Sequence, residues 1–303
     1  MVKLCLLGTG GVMPLPNRYL TSLLVATNGK MILIDCGEGT QVTMKSLGWG
    51  FKAIVGICFT HYHADHIAGL PGLLLTIANT GKTDTLTLVG PVGLKKVVEG
   101  LMVICPKLPY EIRLIEILEQ KQASLQIEEF NIDKLTLEHG VECLGYSIRI
   151  NRRRKFDAVL ATKKSIPKIF WSRLQKGEEV IDKGVLYTPD MVLGQSRKGL
   201  KICYCTDTRP IEAIVSFVKE ADVFICEGMY GNDEYLIKAK EYTHMLFSEA
   251  ANLSKAAKVK ELWLTHFSPS LTNPEDYLDV AKNIFSNSVL GEDRLAKELN
   301  FEE

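Results

Sequence analysis

Short apolar runs recur along the chain and alternate with stretches whose apolar positions fall at helical spacing. Lys3–Leu7, Ser22–Ala26 and Met31–Asp35 read as strands, followed by a helix over Glu38–Leu47. Ile54–Phe59 and Thr85–Val89 are further strand-length runs, and helices are expected from Asp65 onward and after Pro91. Residues 112–150 are β-rich, with strands over Ile112–Leu118, Leu125–Phe130, Lys134–Glu138 and Glu142–Ile150. The periodicity weakens over 151–195 and then resumes. A strand at Leu200–Cys205 leads to a helix near Ile211–Lys219 and a strand at Asp222–Cys226. Helices follow around Asp233–Lys240 and Met245–Lys258, then a strand at Glu261–Thr265 and a closing helix after Pro274. This pattern predicts a single α/β domain over residues 1–303 with mixed β-sheets, in which 151–195 is an inserted arm and not an independent domain.

Composition narrows the class without naming a chemistry. The 303 residues, 46% hydrophobic and 24% charged, suffice for a large core of ordinary soluble character. No apolar run reaches the roughly 18 residues needed to span a bilayer, so no membrane partner is expected. The N-terminus runs into glycine-rich sequence without the h-region of a secretion signal. Eight cysteines, none in a C-x-x-C pair and most within apolar runs, fit a reduced, cytoplasmic protein with buried thiols. Cys203 and Cys205 stand two apart on one strand, so they share a face and read as core fillers.

Formal net charge is zero, which leaves no global field to draw in nucleic acid. The distribution is uneven. Arg152, Arg153, Arg154, Lys155, Lys163 and Lys164, with Lys168, Arg173 and Lys176, face one acid, Asp157, within 151–176. That segment carries +8 and the rest of the chain −8. It is either a phosphate-contacting surface or a solvated basic loop.

The densest chemistry lies at Thr60-His-Tyr-His-Ala-Asp-His66, which holds three of the six histidines. His61, His63, Asp65 and His66 are too close in sequence to share one tetrahedral ion, so two adjacent divalent cations are expected, zinc, manganese or iron. His61 and His63 would serve the first, Asp65 and His66 the second. The cluster follows an apolar strand, where α/β proteins place their sites. Three further candidates occupy the same kind of position: His139 after Lys134–Glu138, Asp207 after Leu200–Cys205, and His266 after Glu261–Thr265. A carboxylate can bridge two cations, and Asp207 is the preferred bridge. A metal pair a few ångströms apart points to hydrolysis of a phosphate ester or similar bond by a bridging water. Gly8-x-Gly10-Gly11 lacks the third glycine of a dinucleotide fingerprint, so no nucleotide cofactor is expected and a tight turn near the metals is.

These stretches resemble the metallo-β-lactamase superfamily, and more closely its ribonuclease Z family. The narrower resemblance rests on Leu6–Gly11, Ile34–Gln41, His139–Tyr146, Cys205–Pro210 and Leu264–Pro269. It implies an αββα four-layer sandwich with two mixed β-sheets, a homodimer, and a metal-dependent endoribonuclease that trims precursor tRNA 3′ ends through a metal-bridging hydroxide. It also implies ligand sets: His61, His63 and His139 for one metal, Asp65, His66 and His266 for the other, and Asp207 between them. Asp65 would orient or deprotonate the water. His244 would stabilise the scissile phosphate or protonate the leaving oxygen. Two departures stand out. Met245-Leu246 follows His244 where the family has Ser-Thr, and the arm has no Gly-Pro tip but carries Phe170 and Trp171. Those aromatics would stack on RNA or pack on a partner subunit. The rival readings are a hydrolase of small phosphodiesters or other esters on the same fold, and a non-enzymatic RNA-binding scaffold.

Overall fold

The computed structural model describes residues 1–118 and 124–302. It divides into two compact units, one of Met1–Arg149 and Lys201–Asn300, the other of Ile150–Leu200 with the C-terminal residues from Phe301. The chain begins with β1 (Val2–Gly8), β2 (Ser22–Thr27), β3 (Lys30–Ile34), β4 (Ile54–Cys58), β5 (Leu86–Gly90) and β6 (Ile112–Glu116). The middle adds β7 (Leu125–Ile127), β8 (Phe130–Leu137), β9 (Cys143–Arg152), β10 (Val180–Asp182) and β11 (Val185–Tyr187). The chain closes with β12 (Arg197–Cys205), β13 (Val223–Glu227), β14 (Leu262–Thr265), β15 (Ser288–Leu290) and β16 (Ala296–Leu299).

Among the described residues the strands form two seven-stranded sheets, ordered β16-β1-β2-β3-β4-β5-β6 and β15-β14-β13-β12-β9-β8-β7, and the hairpin β10-β11. Both large sheets are mixed. In the first, β3 to β6 run parallel while β1, β2 and β16 pair antiparallel. In the second, β12 to β15 are parallel and β7-β8 is an antiparallel hairpin. Strands buried on both faces explain the continuous apolar runs. On β1, Cys5 and Leu7 join a core with Met44, Leu70, Leu73 and Leu74 of the helices Thr40–Ser46 and Leu70–Ala78. Leu4 and Leu6 are equally buried on the opposite face. On β12, Cys203 and Cys205 pack against Phe247, Ala250 and Ala251 of the helix Phe247–Ala257. The inner faces meet through polar ties: Tyr146 donates to the Phe59 carbonyl, and the hydroxyls of Thr21 and Tyr204 lie 2.7 Å apart. The order is helix, sheet, sheet, helix, as the sequence led us to expect.

Three local expectations need correction. Leu125–Phe130 is not one strand. Glu128 takes a left-handed φ of 49° and turns the chain, so Ile127 pairs with Phe130 across a tight hairpin. The helix after Asp65 is interrupted. Ala64–Ile67 makes one turn, and a second helix starts at Leu70. Between them Gly69 passes the Gly37 carbonyl so closely that a Cβ would stand 2.2 Å from its oxygen. The third concerns the C-terminus, where β15 and β16 follow the last expected helix. They are three and four residues long, too short to show a period.

The smaller unit has its own core. The helices Ala158–Lys163 and Lys168–Gln175 are too short to show a convincing period in sequence. Asp157 caps the first by accepting from the Leu160 N–H at 2.8 Å. Ala161, Ile166, Leu174, Val180 and Val192 are buried together, and Phe170 and Trp171 pack against them. Trp171 donates its indole N–H to the Ile166 carbonyl at 2.9 Å. The two aromatics thus line this unit's interior.

Candidate metal centre

The carboxyl ends of the strands converge on one cage of side chains. Asp35 follows β3, Thr60 and His61 follow β4, His139 follows β8, Asp207 follows β12, and His266 follows β14. Asp35, Asp207 and His266 all adopt left-handed φ, at 61°, 54° and 59°. Non-glycine residues in this region are uncommon, and Asp and His are among the types that tolerate it best. The turn takes each side chain out of the pleat and into the cage, and such strain concentrates at functional sites.

Two groups of nitrogen donors flank Asp207. In the outer group His61 Nε2 lies 2.9 Å from His63 Nδ1, which lies 3.4 Å from His139 Nε2. In the inner group Asp65 Oδ2 lies 3.6 Å from His66 Nε2 and 3.4 Å from His266 Nε2, and those two nitrogens are 3.2 Å apart. Asp207 reaches both. Its Oδ2 is 3.1 Å from His66 Nε2 and 3.3 Å from His266 Nε2, and its Oδ1 is 3.9 Å from His139 Nε2. Donors on a tetrahedral zinc at about 2.0–2.1 Å stand roughly 3.3 Å apart, so these spacings suit ions of that size. Asp207 Oδ2 is buried yet accepts no well-directed hydrogen bond. A carboxylate oxygen left so, facing imidazole nitrogens that are themselves lone-pair donors, fits a cation. The inner group is buried, whereas His63 is exposed and His139 half-buried, which puts the outer group at the mouth.

Neighbouring residues aim the donors. His66 Nδ1 is 2.8 Å from Asp35 Oδ2, and the Thr60 hydroxyl is 3.0 Å from His61 Nδ1. His139 Nδ1 is 2.8 Å from the Thr243 hydroxyl. The Val12 N–H donates to Asp65 Oδ2 at 2.7 Å, from a loop where Gly11 is pressed against the His266 ring. Such partners fix the tautomer and direction of each ligand. In the metal-free chain, burial and the neighbouring His66 push the His61 imidazole down to about 2. Burial also opposes charge on His66, but Asp207 and Asp35 outweigh it and hold that ring's pKa well above the ordinary imidazole value. The Asp207 and Asp65 carboxyls are held below the carboxylate range: burial works against ionisation, and the surrounding histidines overcome it.

His244 stands beside the cage, its ring 5.6 Å from those of His139 and His266. Its Nδ1 is 3.1 Å from Glu227 Oε2, and Glu227 is fully buried at the last position of β13. Burial lowers the pKa of His244, yet the charge and hydrogen bond of Glu227 raise it to about 9. Asp35 and Glu227 were not singled out as site residues from the sequence. The signal available for both was an acid at the end of a fully apolar strand, the same signal that marked Asp207.

The basic candidates of the arm fall into two sets. Arg154 donates to the Leu193 and Gly194 carbonyls and pairs with Asp190. Arg173 pairs with Glu178 at 2.9 Å, and Arg152 lies over the Phe301 ring. Arg153, Lys155, Lys163, Lys164 and Lys168 are exposed. No helix among the described residues is long and apolar enough to cross a membrane.

Two helix-flanked mixed sheets with a histidine and aspartate cage at their strand ends define a metal-dependent hydrolase of the metallo-β-lactamase fold. The solved structures agree on that fold: human tRNase Z, short form, aligns over 99% of this chain and 100% of its own with a TM-score of 0.70 at 24% identity. The metallo-β-lactamase fold protein YhfI from Bacillus subtilis aligns over 98% of each chain with a TM-score of 0.67 at 20% identity. A family model described as anti-Pycsar protein Apyc1 matches residues 2–284. The ribonuclease Z of Clostridium kluyveri is 57% identical over the full length of both chains. The chain therefore belongs to the family of the Apyc1 model and, at finer grain, to the ribonuclease Z family.

Proposed function

We propose that the chain is an endoribonuclease that cleaves precursor tRNA at its 3′ end, using two divalent cations held by the cage. Its full-length similarity to a ribonuclease Z supports the substrate, and the placement of Asp207 between two donor groups carries the chemistry. His61, His63 and His139 would hold one cation, Asp65, His66 and His266 the other, and Asp207 would touch both. Nitrogen and carboxylate donors favour zinc and accept manganese or iron. When bound, the cations lower the pKa of water and offset charge on the phosphate.

The residues do the rest. Asp65, ionised and anchored by the Val12 N–H, orients the attacking water or takes its proton. His244, protonated on account of Glu227, faces the departing 3′ oxygen or the phosphate oxygens. The products are tRNA with a 3′-hydroxyl and a trailer with a 5′-phosphate. Arg153, Lys155, Lys163, Lys164 and Lys168 offer exposed charge for the tRNA backbone. The eight cysteines, all unpaired, suit a reducing cytoplasm. A homodimer is the assembly that the family resemblance implies.

The deciding experiment is cleavage of precursor tRNA with zinc or manganese supplied, comparing the parent with Asp65→Ala and His244→Ala. Both variants should lose activity by about 10²–10⁴-fold. A parent that turns over bis-p-nitrophenyl phosphate but leaves the precursor intact would instead favour a hydrolase of small esters.

A further inference from the structure

His244 sits on a loop whose next two side chains cannot orient it. Met245 and Leu246 are 0% and 2% exposed, each packed into an apolar cluster. The loop is held instead through its main chain: the His244 N–H donates to the Ala239 carbonyl at 2.8 Å, and three side chains add to that bond. The Met245 N–H donates to Glu227 Oε2 at 3.0 Å, and the Leu246 N–H to Glu249 Oε2 at 3.0 Å. The His244 carbonyl accepts from the Arg209 guanidinium. Arg209 also grips Glu249 through both terminal nitrogens, with Nη1 2.9 Å from Oε2.

The other end of Arg209 belongs to the cage. It follows Asp207 by two residues, and its N–H donates to the Glu138 carbonyl at 3.0 Å, next to His139. Thr208 between them donates its N–H to Glu227 Oε1 at 2.5 Å. One short segment thus carries the bridging carboxylate, braces the strand end of His139 and reaches across to the backbone of His244. The side chains of the pair are 11% and 18% exposed, so solvent competes little for these bonds. A planar fork is needed to bind two carboxylate oxygens and a carbonyl together, and a lysine ammonium does not supply that geometry.

We propose that Arg209 is a positioning residue for the reaction: clamped on Glu249, it fixes the His244 backbone relative to Asp207. The clamp does for His244 what hydroxyls at 245 and 246 cannot do here. It rests on the reading that His244 serves the phosphate or the departing oxygen.

The test is single-turnover cleavage of precursor tRNA by the metal-loaded parent, R209M, R209K, E249Q, H244A and the double variant R209M/H244A. R209M should slow the chemical step by about 10–100-fold, as a displacement near 1 Å does, with KM within about twofold and metal content unchanged. R209K should recover little. The double variant should be no slower than H244A, because the arginine acts through the histidine. If R209M does not fold, E249Q carries the same comparison with the same double variant logic. Losses that multiply, full activity in R209M, or a loss of bound metal would each overturn the proposal while leaving the His244 reading intact. An H244A enzyme as fast as the parent would remove that reading and the proposal with it.

Discussion

His66 Nδ1 lies 2.8 Å from Asp35 Oδ2, and neither side chain meets solvent. Thr60 completes the arrangement, with its N–H 2.8 Å from Asp35 Oδ1. When the ring carries a single proton, the contact assigns it to Nδ1 and leaves the Nε2 lone pair facing Asp207 and His266. Replacing Asp35 with alanine should weaken divalent metal affinity by about 10–100-fold. Asp35→Asn keeps an acceptor oxygen and should lose less. Metal titration of the folded variants checks both, and unchanged affinity in Asp35→Ala would count against the role.

The raised pKa of His66 has a sign that can be measured. Without metal, Asp207 and Asp35 favour a second proton on its ring. A cation must displace that proton, so loading at pH 7 releases protons and affinity rises with pH. Calorimetry in two buffers of different ionisation heat reads the release directly. Identical heats in the two buffers would contradict it.

His244 titrates the other way from a typical buried imidazole. In the metal-free protein its midpoint should fall near 9, and Glu227→Gln should bring it down toward 6.5. The pairing contributes stability that is fully present below pH 6.5 and lost as the pH rises through about 9. NMR of the imidazole, together with thermal unfolding across that range, tests the shift and its energetic consequence.

Gly11 is required by contact. A Cβ there would stand 2.7–2.9 Å from three atoms of the His266 ring. Gly11→Ala should displace this inner donor and lower metal content, while the β1–β2 core stays folded. Full metal loading in Gly11→Ala would show that the loop can yield.

Part of this site could be read from the chain because His61, His139, Asp207 and His266 follow strands, with His63, Asp65 and His66 close behind His61. His139 and Asp207 stand two residues past the ends of β8 and β12, and His266 directly follows β14. Glu227 obeys the same rule but is the last residue of β13, and a glutamate there reads as an ordinary strand-end acid. Only the fold shows its carboxylate joining Thr208, His244 and Met245. The arm was opaque for a different reason. Its two helices and two strands span three to eight residues each, less than the length over which a period declares itself. Arg209 was hidden because its partners lie 35 and 40 residues away, beyond any local pattern.

The left-handed turns at Asp35, Asp207 and His266 also limit what could replace these residues. A donor chosen only for its affinity would still have to accept a backbone that β-branched side chains resist. The repertoire open to these three corners is thus narrower than coordination chemistry alone would allow.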